Sequence, residues 1–393
     1  MSEPMGFRVG LRKILGFAGL TAAQPERSPS GPTQTVAELA LSSGCSVRQI
    51  LPEGQQTRLP SRTVPIQFGH MLAHSEDWIA RHDVTRSSGE RRWATQYFNE
   101  LYSVSAKRFA SAFEVALYDV DLETVHGCVR TRGGVMISES SLVNTTVAAA
   151  GFTTPIASLP GAFSLVASWS LNYAHWLMDS LPRLAAIDFQ LSEMPVLLPR
   201  GAKAFHYDSL RALGIRQAIE MPADCVTVEK LRCVSAASRT GFPRAEFIQR
   251  LRQKFRENSA ANTPPRRLYV SRELSSRRVV NEEEVFAIFR SHGFEKVLCE
   301  ELTFDEQLSL FSSAEMIAGP HGAGIYNLLF ARPGATIIEF YNPLRWDSAA
   351  ARISSLLGFE HWHMYGDDVG DAYDMRLDPP VVAELLTAAE GLR

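Results

Sequence analysis

The stretch Glu315–Pro343, EMIAGPHGAGIYNLLFARPGATIIEFYNP, constrains this chain more than any other. Met316–Ala318 closes a short apolar run of strand character, and Gly319, Gly322 and Gly324 punctuate a loop containing Pro320 and His321. Ala323–Ala331 is apolar over a helical length, Pro333-Gly334 turns the chain, and Thr336–Tyr341 is the next strand. Strand, glycine loop, helix and strand in this order form a unit of an open α/β sheet. Glycines at a strand-to-helix junction let backbone N–H groups approach an anion, and the helix dipole adds partial positive charge there. Glu339 ends the second strand, 20 residues after Gly319, where an acid commonly meets a ribose hydroxyl. The spacing is G-x-x-G-x-G, not the dinucleotide G-x-G-x-x-G. A nucleotide or phosphate site and a tight turn at a sheet edge therefore both stay open.

A second informative stretch is Ser168–Asp188, SWSLNYAHWLMDSLPRLAAID. Asn172 can cap a helix whose apolar face carries Tyr173, Leu177, Leu181 and Leu184. His175, Asp179 and Arg183 recur every four residues and stack as one polar stripe, with Pro182 expected to kink the helix. Trp176 and Met178 flank the stripe, which fits a cleft lining in which His175 is a general base oriented by Asp179. The alternative is a salt-bridge ladder on a helix surface.

Arg272, Arg277 and Arg278 fall in the loop after a strand at Arg267–Ser271, and Asn281 is placed to cap the helix that follows. In an open parallel sheet, ligands bind beyond the carboxyl ends of the strands. Cationic forks there suit a diphosphate, although a solvated basic loop would read the same way. Two candidate metal motifs are weak. Asp119-Val120-Asp121 is explained by strand alternation, and His361-Trp362-His363 has no third ligand clearly placed, so no metal site is predicted.

At 393 residues, 45% hydrophobic and 21% charged, the chain can bury the cores of two domains. A net charge of −3 argues against a dedicated nucleic-acid binder. Five scattered cysteines without a C-x-x-C pair fit free thiols in a reducing, cytoplasmic setting. The expected organisation is a disordered tail and linker over 1–35, an N-terminal domain over 36–262 and a C-terminal domain over 263–393. The last helix, Glu384–Leu392, could pack back on the N-terminal domain. Residues 7–20 read either as part of the disordered start, being broken by glycines, or as a weak amphipathic helix touching the inner membrane face.

The blocks NYAHWLMDSLPRL, LYVSRELSSRRVVNEEEV and AGPHGAGIYNLLFARPGATIIEFYNP, in this order, resemble glycosyltransferase family 61, whose bacterial members are often labelled capsular polysaccharide biosynthesis proteins. The likeness covers roughly residues 120–345. It implies a GT-B fold of two Rossmann-like domains facing across a cleft, with a nucleotide-sugar donor, commonly UDP-linked, held mainly by the C-terminal one. It also implies inverting, metal-independent transfer to a glycan acceptor. By this resemblance Arg272, Arg277, Arg278 and Asn281 lie at the donor phosphates. His321, Gly322, Gly324 and Asn327 match an HGAG-x-x-N element, and His175 and Asp179 match an H-x-x-x-D pair. Which of these two takes the proton stays open. Two other readings compete: an NAD-dependent oxidoreductase using Gly319–Glu339, and a catalytically silent glycan-binding protein.

Overall fold

The computed structural model describes residues 114–137, 152–235, 238–239, 242–257, 264–342, 345, 349–370 and 372–391, together with the backbone of a few strands nearer the N-terminus. The stretch 7–20 and Cys45 lie outside the described residues. Thr33–Gln34, assigned above to the linker, instead pairs in parallel with Met136–Ile137. The other four cysteines are buried and are not joined in disulfides. Among the described residues, no helix is long and apolar enough to cross a membrane.

The chain is mixed α/β with two principal sheets. The C-terminal sheet has five parallel strands in the spatial order Phe294–Val297, Arg266–Val270, Ala314–Pro320, Thr336–Tyr341, Glu360–Tyr365. In chain order this is 2-1-3-4-5, a doubly wound arrangement. Thr336–Tyr341 is buried at every position, as a central strand covered on both faces must be. Tyr269, Met316, Ile338 and Phe340 pack on one face, with Val285 and Phe289 of helix Glu282–Ser291 and Val382 and Leu386 of helix Pro379–Gly391. The last helix therefore sits on its own sheet, not on the N-terminal domain. Glu390 ties it to Arg267, and to His292 Nδ1 at 2.9 Å.

The opposite face, with Leu268, Val270, Ile317 and Ile337, shares one core with Phe163, Leu165 and Trp176 of the N-terminal half. Helix Ala245–Glu257 crosses that seam. Its Phe255 ring lies 5.1 Å from Phe330 and 5.8 Å from Phe304, and Arg252 donates to the Ala331 carbonyl.

The N-terminal sheet corrects the expectation of two Rossmann-like domains, because the ten strands it has among the described residues are mixed in direction. Ala162–Ser164, Val196–Leu198 and Ala218–Glu220 run parallel, while the long strand Cys225–Val234 pairs antiparallel with Ala112–Glu123. The cause is visible along Cys225–Val234, whose exposed and half-buried positions interrupt its buried ones. Such a strand suits a sheet with one wetted face.

Gly319 fixes how closely the first and third C-terminal strands approach. A Cβ there would lie 2.4 Å from the Val270 carbonyl oxygen, with φ at +158°. Gly319→Ala is expected to cost about 1–3 kcal/mol, seen as a lower urea midpoint at unchanged m-value. An unaltered midpoint would mean the strand ends separate freely.

Candidate active site

In a sheet of order 2-1-3-4-5 the winding reverses between strands 1 and 3, here Arg266–Val270 and Ala314–Pro320. The crevice beyond their carboxyl ends is where ligands bind. Arg272 leaves the first strand and His321-Gly322 the second. The Arg272 guanidinium is buried, donating from Nε to the Ser276 carbonyl (2.8 Å) and from Nη2 to Ser275 Oγ (2.9 Å). Its Nη1 lies against Gly322, where a Cβ would come within 1.8 Å of it. Burial lowers the Arg272 pKa, with nearby Glu300 opposing the shift. Gly324 is glycine for packing, since a Cβ would press on Val270 Cγ1 at 2.8 Å and Cys299 Sγ at 3.2 Å. The segment Ala323–Phe330 that follows is a 3₁₀ helix in place of the expected α-helix, its Ile325 amide bonded back to the Gly322 carbonyl.

Glu339 does not face a ligand. It is fully buried, accepts from His321 Nδ1 at 2.7 Å and Tyr341 Oη at 2.5 Å, and lies 3.4 Å from His361 Nε2. The expected ribose contact is therefore corrected to a supporting role beneath His321. Burial alone would raise the Glu339 pKa, but contacts with His321 and His361 outweigh it and hold the carboxyl down to about 2. An ionised carboxylate only accepts, so the His321 proton is fixed on Nδ1. The His321 amide is fixed as well, by the Phe340 carbonyl at 2.8 Å.

Asn172 caps the N-terminal helix as its sequence requires, accepting from the amides of Ala174 (2.9 Å) and His175 (3.4 Å). The helix then widens into a π-turn over Trp176–Ser180, closed by Leu181 N to Trp176 O at 2.9 Å, before Pro182 opens the last α-turn. The extra residue absorbs the proline, whose missing N–H would otherwise break the ladder. His175 Nδ1 lies 2.8 Å from Asp179 Oδ2. The Asp179 side chain is 0% exposed and that of His175 is 25% exposed. Arg183 is buried, donates to the Val166 carbonyl at 3.2 Å, and is attracted by Asp179. Burial on this scale excludes the surface salt-bridge ladder. It leaves an accessible imidazole backed by an enclosed carboxylate.

One contact joins the two halves of the site. Tyr173 Oη donates to Asn327 Oδ1 at 2.6 Å, and Asn327 Nδ2 donates to Gln307 Oε1 (2.8 Å) and the Gly324 carbonyl (3.1 Å). Asn327 is fully buried and spends both ends of its amide this way, so it holds the helix against the glycine loop instead of binding a donor. Sequence reasoning placed Tyr173 on the apolar face and passed over Gln307; a hydroxyl two residues before His175 was the available signal.

Two further residues assigned to donor phosphates are engaged elsewhere. Arg278 pairs with Asp374 through Nε (3.0 Å) and Nη2 (2.8 Å). Asn281 Nδ2 donates to the Leu377 carbonyl and its Oδ1 accepts from the Leu377 amide, with no capping bond to its own helix. Both fasten the loop to the C-terminal segment. Arg277 has a left-handed backbone, φ +66°, and its amide donates to Ala372 O at 3.2 Å. Of the three arginines, Arg272 is the one laid on the glycine loop.

Asp119 and Asp121 pair with Arg132 and Arg130, and His361 Nδ1 lies 3.0 Å from Ser354 Oγ. Among the described residues, no group of three or more His, Cys, Asp or Glu is arranged to hold a metal ion.

Residues 173–338 match the family described as Glycosyltransferase 61. The chain is also 36% identical over 77 residues to the EGF domain-specific O-linked N-acetylglucosamine transferase of Drosophila melanogaster, a stretch that is 19% of this chain and 15% of that protein. The family match spans both His175–Asp179 and Arg272–Gly322. Both likenesses are to glycosyltransferases, and the chain spans about a seventh of the length of the curated relative it matches, whose name carries no bacterial or capsular association.

Proposed function

We propose that this protein is an inverting glycosyltransferase, moving a sugar from a UDP-linked donor to a glycan acceptor. The observation that carries the reading is the Tyr173–Asn327 bond, which ties the helix bearing an accessible imidazole and its buried carboxylate partner to the glycine loop on which the Arg272 guanidinium is pinned. His175 takes the acceptor hydroxyl proton while the oxygen attacks the anomeric carbon. The bond from that carbon to the diphosphate breaks, and the electron pair leaves with UDP. Arg272, against the glycine loop, meets the charge that develops on the leaving group. Asp179 holds the imidazole and stabilises it once protonated. The enclosure of Glu339 counts against the oxidoreductase reading, which required that acid at a ribose. The His175–Asp179 pair counts against a silent binding protein.

UDP is the first ligand to test, and UDP-N-acetylglucosamine the first donor to assay, because N-acetylglucosamine is the sugar in the relative's name. At about 100 times its Kd, UDP should add about 2.7 kcal/mol of apparent stability without added divalent metal. Arg272→Ala should weaken that binding by about 1.5–3 kcal/mol, the range of hydrogen bonds to charged groups. Stabilisation that vanishes in EDTA and returns only with manganese or magnesium would refute the metal-independent form. Unchanged UDP affinity in Arg272→Ala would return the loop to a structural role.

A further inference from the structure

Trp169 stands just before the helix that carries His175, outside the segment matched to the family, and is 53% exposed. A single exposed aromatic residue is ordinary, but this one is not simply left out of a core. Its backbone is left-handed, φ +58°, a conformation that costs a bulky residue roughly 1–3 kcal/mol and persists only where the surroundings enforce it. Those surroundings are rigid. Ser168 and Ser170 on either side are buried, and the Ser170 carbonyl lies 3.0 Å from Nε2 of the buried His206. Asn172 N donates to Trp169 O at 2.8 Å, and Ser170 N to Ala167 O at 3.1 Å. The turn is anchored on both sides while the indole stands in solvent, its ring centroid 5.3 Å from that of His175 at an angle of 34°.

We propose that Trp169 is the acceptor-sugar platform, on which a pyranose lays its apolar C–H face with a hydroxyl directed at His175. This rests on the glycosyltransferase reading and deepens it. An aromatic face carries negative charge density that attracts polarised C–H groups, and an indole offers the largest such face. The indole and the imidazole are in contact as neighbouring rings, so a pyranose stacked on the solvent-exposed part of the indole has its edge hydroxyl beside the imidazole. The assignment to the acceptor, not the donor base, follows from which half carries it. Trp169 belongs to the His175 side, whereas the candidate phosphate contacts belong to the sheet opposite.

The test uses the full chain with saturating UDP and a panel of methyl β-D-pyranosides (gluco, galacto, manno and N-acetylglucosamine) as probes, read by saturation-transfer NMR. At least one should bind, with transfer strongest at its axial C–H protons. Trp169→Gly should weaken it about 3- to 10-fold, and Trp169→Phe should retain most of it. UDP affinity should be the same in all three proteins. Because glycine adopts this backbone without strain, Trp169→Gly should melt no lower than the parent. A structural tryptophan would instead show a lower melting temperature. Pyranoside binding unchanged in Trp169→Gly, or absent from the parent protein while UDP binds, overturns the platform alone. Failure of UDP itself to bind overturns the proposed function beneath it.

Discussion

His175→Ala should lower the rate of sugar transfer on the order of 10²–10⁴-fold, about 3–5 kcal/mol of barrier, while UDP affinity stays within twofold. The magnitude is that of a positioned general base, and the selectivity follows from geometry. His175 lies on the helix of the N-terminal half, whereas Arg272 and Gly322 lie just beyond the ends of strands of the other sheet. The structure also ranks the two members of the pair. Asp179 is sealed from solvent, next to the buried Arg183, and cannot touch an acceptor; His175 is open on one side. Asp179→Asn should therefore be less damaging than His175→Ala, because an amide can still accept from Nδ1 but cannot stabilise the imidazolium. Single-turnover rates with UDP-N-acetylglucosamine and the pyranosides above give both numbers. If Asp179→Asn proves the more damaging, the roles are exchanged. If both variants stay active and melt several degrees lower, the pair is structural.

The elements of this fold were largely legible because their signals are local. Strand Thr336–Tyr341, the helix over Phe304–Ser312 with its reciprocal Thr303–Glu306 cap, and the Asn172 cap each declare themselves within a few residues. The four-residue stripe also placed His175 beside Asp179. What could not be read was which polar side chains spend themselves on the protein. Arg278 and Asn281 look like phosphate ligands until Asp374 and Leu377, 96 residues on, arrive to occupy them. Asn327 and Glu339 sit in the expected motif, yet burial directs one to Tyr173 and the other to His321. The same limit hid the π-turn. Pro182 predicts a disturbance, but whether the chain kinks or takes in one more residue depends on the packing of Trp176 and Leu181. Sequence pattern also could not separate a parallel from a mixed N-terminal sheet, because that depends on partners found far along the chain.

Replacing Glu339 should produce the largest loss of stability, with a defined pH signature. The residue is enclosed with His321, Tyr341 and His361, and its neighbours on the adjoining strand include His363 and Tyr365. Removing one partner from a buried charge network typically costs about 3–5 kcal/mol, so Glu339→Ala should fall by that amount at pH 7. The wild-type protein should also lose stability on acidification in two windows. His363 is kept neutral by burial, with the His361 charge adding to the effect, and its pKa is pushed down to about 3. The unfolded chain takes up that proton first, so stability declines as pH falls from the ordinary histidine range towards 3. Glu339 is held ionised down to about 2. Its contribution is complete above the ordinary carboxylate range and is lost as pH falls from there to 2. Glu339→Gln keeps the shape and removes only the charge, so it should abolish the lower window; the upper one should persist and deepen, because the Glu339 charge is what favours protonation of His363. Urea midpoints for both proteins between pH 7 and pH 2.5 make the comparison. Parallel curves below pH 4.5 would mean that Glu339 carries no buried charge and that His321 is held by shape alone.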